Sequence, residues 1–161
     1  MLKKQQINYK FFLIIILLLS LFLNPSLAEI IKPSKEIDPG QVIKIQLTAL
    51  MKNDNPYKDR GIIQTWKFAH PNNQKITGPF EKFKNMIKTD SYSMLINHSN
   101  HEILEVYMSS EIATFEVTVL DNEKKYYKFK WQVEKYDREG QLKDCWLTTA
   151  VSQPIPLESS I

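Results

Sequence analysis

Near residue 90 the hydrophobic period of this chain changes, and that change bounds the fold more tightly than any other feature. Before it, apolar residues recur at helical spacing; after it, they alternate with a period of two. Glu111 to Leu120 puts Ala113, Phe115, Val117 and Val119 on one face and Thr114, Glu116 and Thr118 on the other. Turn formers come next at Asp121-Asn122-Glu123-Lys124. Lys125 to Glu134 then repeats the alternation, with Tyr127, Phe129, Trp131 and Val133 inward and Lys128, Lys130, Gln132 and Glu134 outward. Further strands are expected over Ser91 to Ile96, Glu102 to Ser109 and, after the turn Asp137-Arg138-Glu139-Gly140, about Asp144 to Ser152. A block of helices followed by such a block of strands reads as α+β, with three N-terminal helices packed on a curved antiparallel sheet of about five strands.

Three helices are expected before the change. The first runs from about Pro39 to Lys52, with Asp38 as N-cap, Pro39 at N1 and Gln41 at N3. Its apolar arc is wide, and only Gln41, Lys44, Thr48 and Lys52 share a clean polar stripe, so it packs on more than one side. The second spans about Gly61 to Ala69, with Ile62, Ile63, Trp66 and Ala69 on one face, and ends at His70-Pro71-Asn72-Asn73. The third runs from about Pro79 to Lys88, capped by Thr77, with Phe80, Phe83, Met86 and Ile87 as its apolar stripe.

The first 28 residues have the layout of a secretory signal peptide. Lys3, Lys4 and Lys10 form a basic start, Phe11 to Leu23 is apolar apart from one serine, and Ser26-Leu27-Ala28 ends in small residues. The apolar run is 13 residues, short of the ~20 that span a bilayer as a helix. The expectation is an exported protein beginning near Glu29, without stable membrane insertion after cleavage; the alternative is anchoring by an uncleaved leader. The expected organisation is leader 1–28, linker 29–37, one domain over 38–153 and a flexible tail 154–161. Without the leader, 133 residues remain, enough for a single core. The leader's three lysines account for the whole net charge of +3, so the remainder carries 18 basic and 18 acidic residues. A balance of zero argues against a nucleic-acid partner. Cys145 is the only cysteine, so no intramolecular disulfide forms, and a buried, inert thiol is expected.

Particular residues carry a resemblance. Asp59-Arg60-Gly61-Ile62-Ile63, Trp66-Lys67-Phe68-Ala69, Pro71-Asn72-Asn73, Thr77-Gly78-Pro79, Phe83 with Met86, and the later Asp144-Cys145-Trp146-Leu147-Thr148 are similar to a domain family of unknown function. That family is identified as a member of the nuclear transport factor 2-like superfamily, the cystatin-like cone that also holds ketosteroid isomerase. The likeness covers about residues 36–152. It implies a cone-shaped α+β domain and an exported protein of the periplasm, thylakoid lumen or extracellular space. It transfers no functional residue.

In a cone, acid–base chemistry needs acids or histidines whose protonation an apolar interior can tune. The inward faces of the two clearest strands carry none. The leading expectation is therefore a non-catalytic module that binds a small apolar ligand or a protein partner, with no cofactor and no metal. Its pocket is expected among Trp66, Tyr107, Phe129 and Trp131, with His70 and Asn73 near the mouth. The alternative is an isomerase- or dehydratase-like enzyme in which His70 acts as base and Asp59 orients it; the plainer reading of Asp59 is a helix cap. His98 and His101 form an H-x-x-H too poor in neighbouring ligands for a zinc site and are expected in a solvated loop. The neutral outer-face residues Thr114, Thr118 and Gln132 leave room for a homodimer.

Overall fold

The computed structural model describes residues 29–157. The expected leader and the last four residues of the expected tail lie outside the described residues. The domain is α+β, with four α-helices packed on a five-stranded antiparallel sheet that does not close into a barrel.

Helix α1 (Pro39–Met51) begins as its sequence dictates. The Asp38 carboxylate accepts from the Gln41 backbone N–H at 2.8 Å, and the Gln41 side chain accepts from the Asp38 N–H at 3.3 Å. Val42, Ile43, Leu47 and Leu50 are buried on its wide arc, which packs against both a second helix and the sheet. That second helix, α2 (Arg60–Lys67), crosses α1 at Gly61. The Gly61 N–H donates to the Asn53 carbonyl at 2.9 Å, and a Cβ on Gly61 would lie 2.2 Å from the Ala49 carbonyl oxygen. Only glycine permits so close an approach.

Helix α3 (Pro71–Thr77) is a fourth helix, starting where the expected second helix ends and lying before the expected third. Pro71 ends α2 but, at N1, also begins another helix, because proline is disfavoured only inside one. The His70 ring caps it, Nδ1 accepting from the Asn72 N–H at 3.1 Å. Helix α4 (Phe80–Ile87) comes next, with Pro79 rather than Thr77 at its N-cap. Ser91 to Ile96 is not a strand. It holds a single 3-10 turn at Ser93–Leu95, in which Leu95 is buried and short-range bonds replace a ladder, while the Asn97 N–H ties it to the Leu50 carbonyl at 2.8 Å.

The sheet runs β1 (Asn100–Met108), β2 (Ile112–Leu120), β3 (Tyr126–Lys135) and β4 (Trp146–Val151) in sequence order, every neighbour antiparallel. A fifth strand, β5 (Ile155–Leu157), pairs with the start of β3, so part of the expected flexible tail is sheet. Phe115, Val117, Phe129, Trp131 and Val133 form the buried face, as the alternation predicts. On β1 a bulge between Glu105 and Tyr107 breaks the alternation. The extra residue reverses the facing of the later β1 side chains. Tyr107 therefore sits opposite Thr114 on the outer face and is 56% exposed.

Candidate functional site

A cavity of about 100 Å³ lies between the helices and the sheet. Its floor is Trp131 and Thr148, from β3 and β4. Its walls come from Gln46 and Leu50 of α1, Thr65 and Ala69 at the end of α2, and Phe83 and Ile87 of α4. Partly exposed Asn73, Thr77, Met86 and Tyr92 ring its mouth.

A polar chain crosses this apolar interior. The Trp131 indole Nε1–H donates to Thr148 Oγ1 at 3.2 Å, Thr148 Oγ1–H donates to Gln46 Oε1 at 2.7 Å, and Gln46 Nε2–H donates to the Thr65 carbonyl at 3.0 Å. Asn73 Nδ2 donates to the Thr148 carbonyl at 3.3 Å. No buried side-chain nitrogen or oxygen among the described residues lacks a partner, as a stable core requires. These bonds fix the orientation of the Gln46 amide and the indole, so the wall presents fixed dipoles to whatever enters. Among the described residues that line the cavity Tyr92 alone is titratable, and burial pushes its phenol above the usual range.

Of the six expected pocket residues, the structure brings Asn73 and Trp131 together at this cavity. Phe129 is fully buried but is core beneath the sheet rather than cavity wall. Trp66 is half-buried against Phe83 and Phe80, at ring separations of 4.8 and 6.0 Å. Tyr107 faces outward because of the bulge. His70 stands on the other side of the α2–α3 junction, in a polar cleft of about 410 Å³ shared with Glu134, Tyr136, Asp137 and Arg138. Burial holds its imidazole below the ordinary range, and its Nδ1 is committed to the cap.

Asp59 cannot orient His70. The two lie at opposite ends of α2, and its eight residues span ~12 Å. Asp59 occupies the N-cap position in a left-handed conformation (φ 62°) and makes no side-chain cap bond. Its carboxylate instead meets Lys88 Nζ at 2.7 Å, which lowers its pKa, and accepts from Asn53 at 3.5 Å. The base–orienter pair of the enzyme reading is therefore absent from this geometry.

The H-x-x-H is not a solvated loop. His98 is buried; its Nδ1 donates to the Leu95 carbonyl at 2.7 Å, which leaves Nε2 to accept from His101 Nδ1–H at 2.7 Å. This relay leaves only His101 Nε2 to take a proton without breaking a bond. Burial holds both imidazoles below their ordinary range, and the nearby Lys44 adds to the effect at His101. Among the described residues no group of three or more His, Cys, Asp or Glu is placed to hold a metal. A depressed histidine binds its proton more readily in the unfolded chain. Its contribution is therefore complete above ~6.5 and is lost as the pH falls below that value. Urea midpoints should thus drop between pH 7.5 and 5.5, and His101→Gln should flatten that slope; an unchanged slope would contradict the relay.

Cys145 is buried, and burial raises its thiol pKa, consistent with an inert thiol. The residues that sequence reasoning misses are Gln46, Thr65 and Thr148. Gln46 alone gives a signal, as a lone amide on the apolar arc of α1. No helix among the described residues is long and apolar enough to cross a membrane. Comparison with curated proteins and with solved structures gave no match. Comparison with family models did: residues 33–153 match the family described as a domain of unknown function, DUF4864, and since that span is most of the chain, the chain belongs to this family.

Proposed function

We propose that this chain is an exported, non-catalytic binding module whose ligand site is the interior cavity, and that its domain is a cone of the nuclear transport factor 2-like superfamily. Export rests on the three-part layout of residues 1–28. The superfamily reading rests on element order, with helices first and then an antiparallel meander that covers them.

One observation carries the binding reading. The cavity has a fixed hydrogen-bonding wall, Trp131–Thr148–Gln46, facing apolar side chains, and among the described residues no carboxylate, imidazole or amine lines it. Such a wall suits a neutral amphiphile and offers nothing to move a proton at neutral pH. Size narrows the class further. A cavity of ~150 Å³ accepts benzene, so about 100 Å³ takes a short branched chain whole, or a single ring carrying one polar group that projects through the partly exposed mouth.

Phenol is a suitable probe of that class. Thermal unfolding of the chain from Glu29 onward should shift upward with phenol concentration, since a ligand that binds only the folded state stabilises it by mass action. Ala69 is buried on the cavity wall, so Ala69→Leu should keep the fold and abolish the shift. His70→Ala should lower the baseline stability through the lost cap yet leave the phenol response intact. An equal shift in wild type and Ala69→Leu, or no shift in either, would sink the cavity as the site. Loss of the response in a folded His70→Ala would return the question to acid–base chemistry.

A further inference from the structure

We propose that the outer groove between α1 and α2 binds an extended acidic peptide segment of a protein partner, with carboxylates four residues apart. This site is separate from the interior cavity. The groove is about 760 Å³. Gln41, Lys44 and Thr48 of α1, with Lys52 at its C-cap, form one wall and are exposed. Arg60 and Gln64 of α2 form the other, and Ile45, Ala49 and Pro56 make an apolar floor. Lys44, Lys52 and Arg60 line it, and no carboxylate side chain among the described residues does. From Glu29 onward the acidic and basic residues balance, yet exposed Lys44 and Lys52 share this groove, and that face complements an anion.

Two features select an extended peptide. First, the groove already grips main chain of residues 29–31 at one rim. The Gln64 side chain accepts from the Ile31 N–H and donates to the Ile31 carbonyl, both at 2.8 Å, and Arg60 Nη2 donates to the Glu29 carbonyl at 3.0 Å. A side-chain amide that pairs with both groups of one residue reads main chain, as a neighbouring strand would. Second, the spacing fits. Lys44 sits on α1 and Lys52 at its C-cap, eight residues later and ~12 Å further along the axis. In an extended chain, residues i and i+4 share a face and lie ~13 Å apart, with i+2 between them on the same face. Carboxylates at i and i+4 therefore meet the two lysines, while an apolar residue at i+2 rests on Ile45 and Ala49.

The probe is a fluorescent peptide carrying Glu-Thr-Leu-Thr-Glu between Gly-Ser flanks, titrated by anisotropy against the chain from Glu29 onward. Its controls are the isomer Glu-Glu-Thr-Leu-Thr, of equal charge, the reversed peptide Lys-Thr-Leu-Thr-Lys, and phosphatidylserine vesicles. The spaced peptide should bind at least tenfold tighter than its isomer, and more weakly as salt rises, because exposed charges are screened. The double change Lys44→Glu with Lys52→Glu should cut its affinity at least tenfold and create affinity for the reversed peptide. Both positions are exposed, so circular dichroism should show an unchanged fold. Equal binding of the two isomers, no binding, indifference to charge reversal, or binding of vesicles without peptide would each overturn the proposal.

Discussion

Trp131→Ala should lower the free energy of unfolding by ~3–5 kcal/mol, the range for truncating a buried large aromatic. Trp131 is 1% exposed and lies on β3, between β2 and β4. It borders the cavity, so truncation extends a void that the surrounding strands cannot collapse to fill. The lost indole bond to Thr148 adds ~1 kcal/mol at most, because Thr148 keeps its bond to Gln46. Burial therefore outweighs polarity in this effect, and Trp131→Phe should recover most of it. Urea denaturation measures both. A loss below ~1 kcal/mol would mean that the side chain faces solvent and that the register of β3 is shifted by one residue.

Gly61→Ala should cost about 3 kcal/mol, the upper end for overpacking a close contact. Alanine would gain at most ~1 kcal/mol of helix propensity here. Against that, its Cβ would stand 2.2 Å from the Ala49 carbonyl oxygen and 2.9 Å from Asn53 Cα. Both are backbone atoms, so no side chain can swing aside and the two helices must separate. Separation also strains the bond from the Gly61 N–H to Asn53 and the one from the Ile62 N–H to Asn53 Oδ1, at 3.1 Å. Denaturant midpoints with unchanged slope would show the loss. A stability within ~0.5 kcal/mol of wild type would contradict the helix crossing.

The sheet was legible where one rule governed. On β2 and β3 a period of two with one buried face fixes which residues face inward, and both strands obey it. On β1 a single bulge defeats the same rule, and nothing in Glu105-Val106-Tyr107 marks where the extra residue falls. Alternation alone therefore puts Tyr107 on the wrong face. Pro71 shows a different limit: the residue type that ends one helix also starts the next, and only the His70 cap decides between loop and helix. His98 and His101 read as loop because their burial depends on Leu95, whose turn looks like a strand in sequence. The cavity was half legible. Trp131 and Asn73 emerge from alternation and position, whereas Thr148 and Gln46 meet across 102 positions of sequence, a pairing that only the fold creates.

Ligand binding against the hydrogen-bonding wall of the interior cavity is the central claim. Its most direct test is the nitrogen–proton spectrum of the Trp131 indole during a phenol titration of the chain from Glu29 onward, because that N–H donates to Thr148 on the cavity floor. If the cavity is the site, this resonance shifts saturably with phenol and stays fixed in Ala69→Leu. An indole signal that stays fixed in both proteins, or moves equally in both, would contradict the claim.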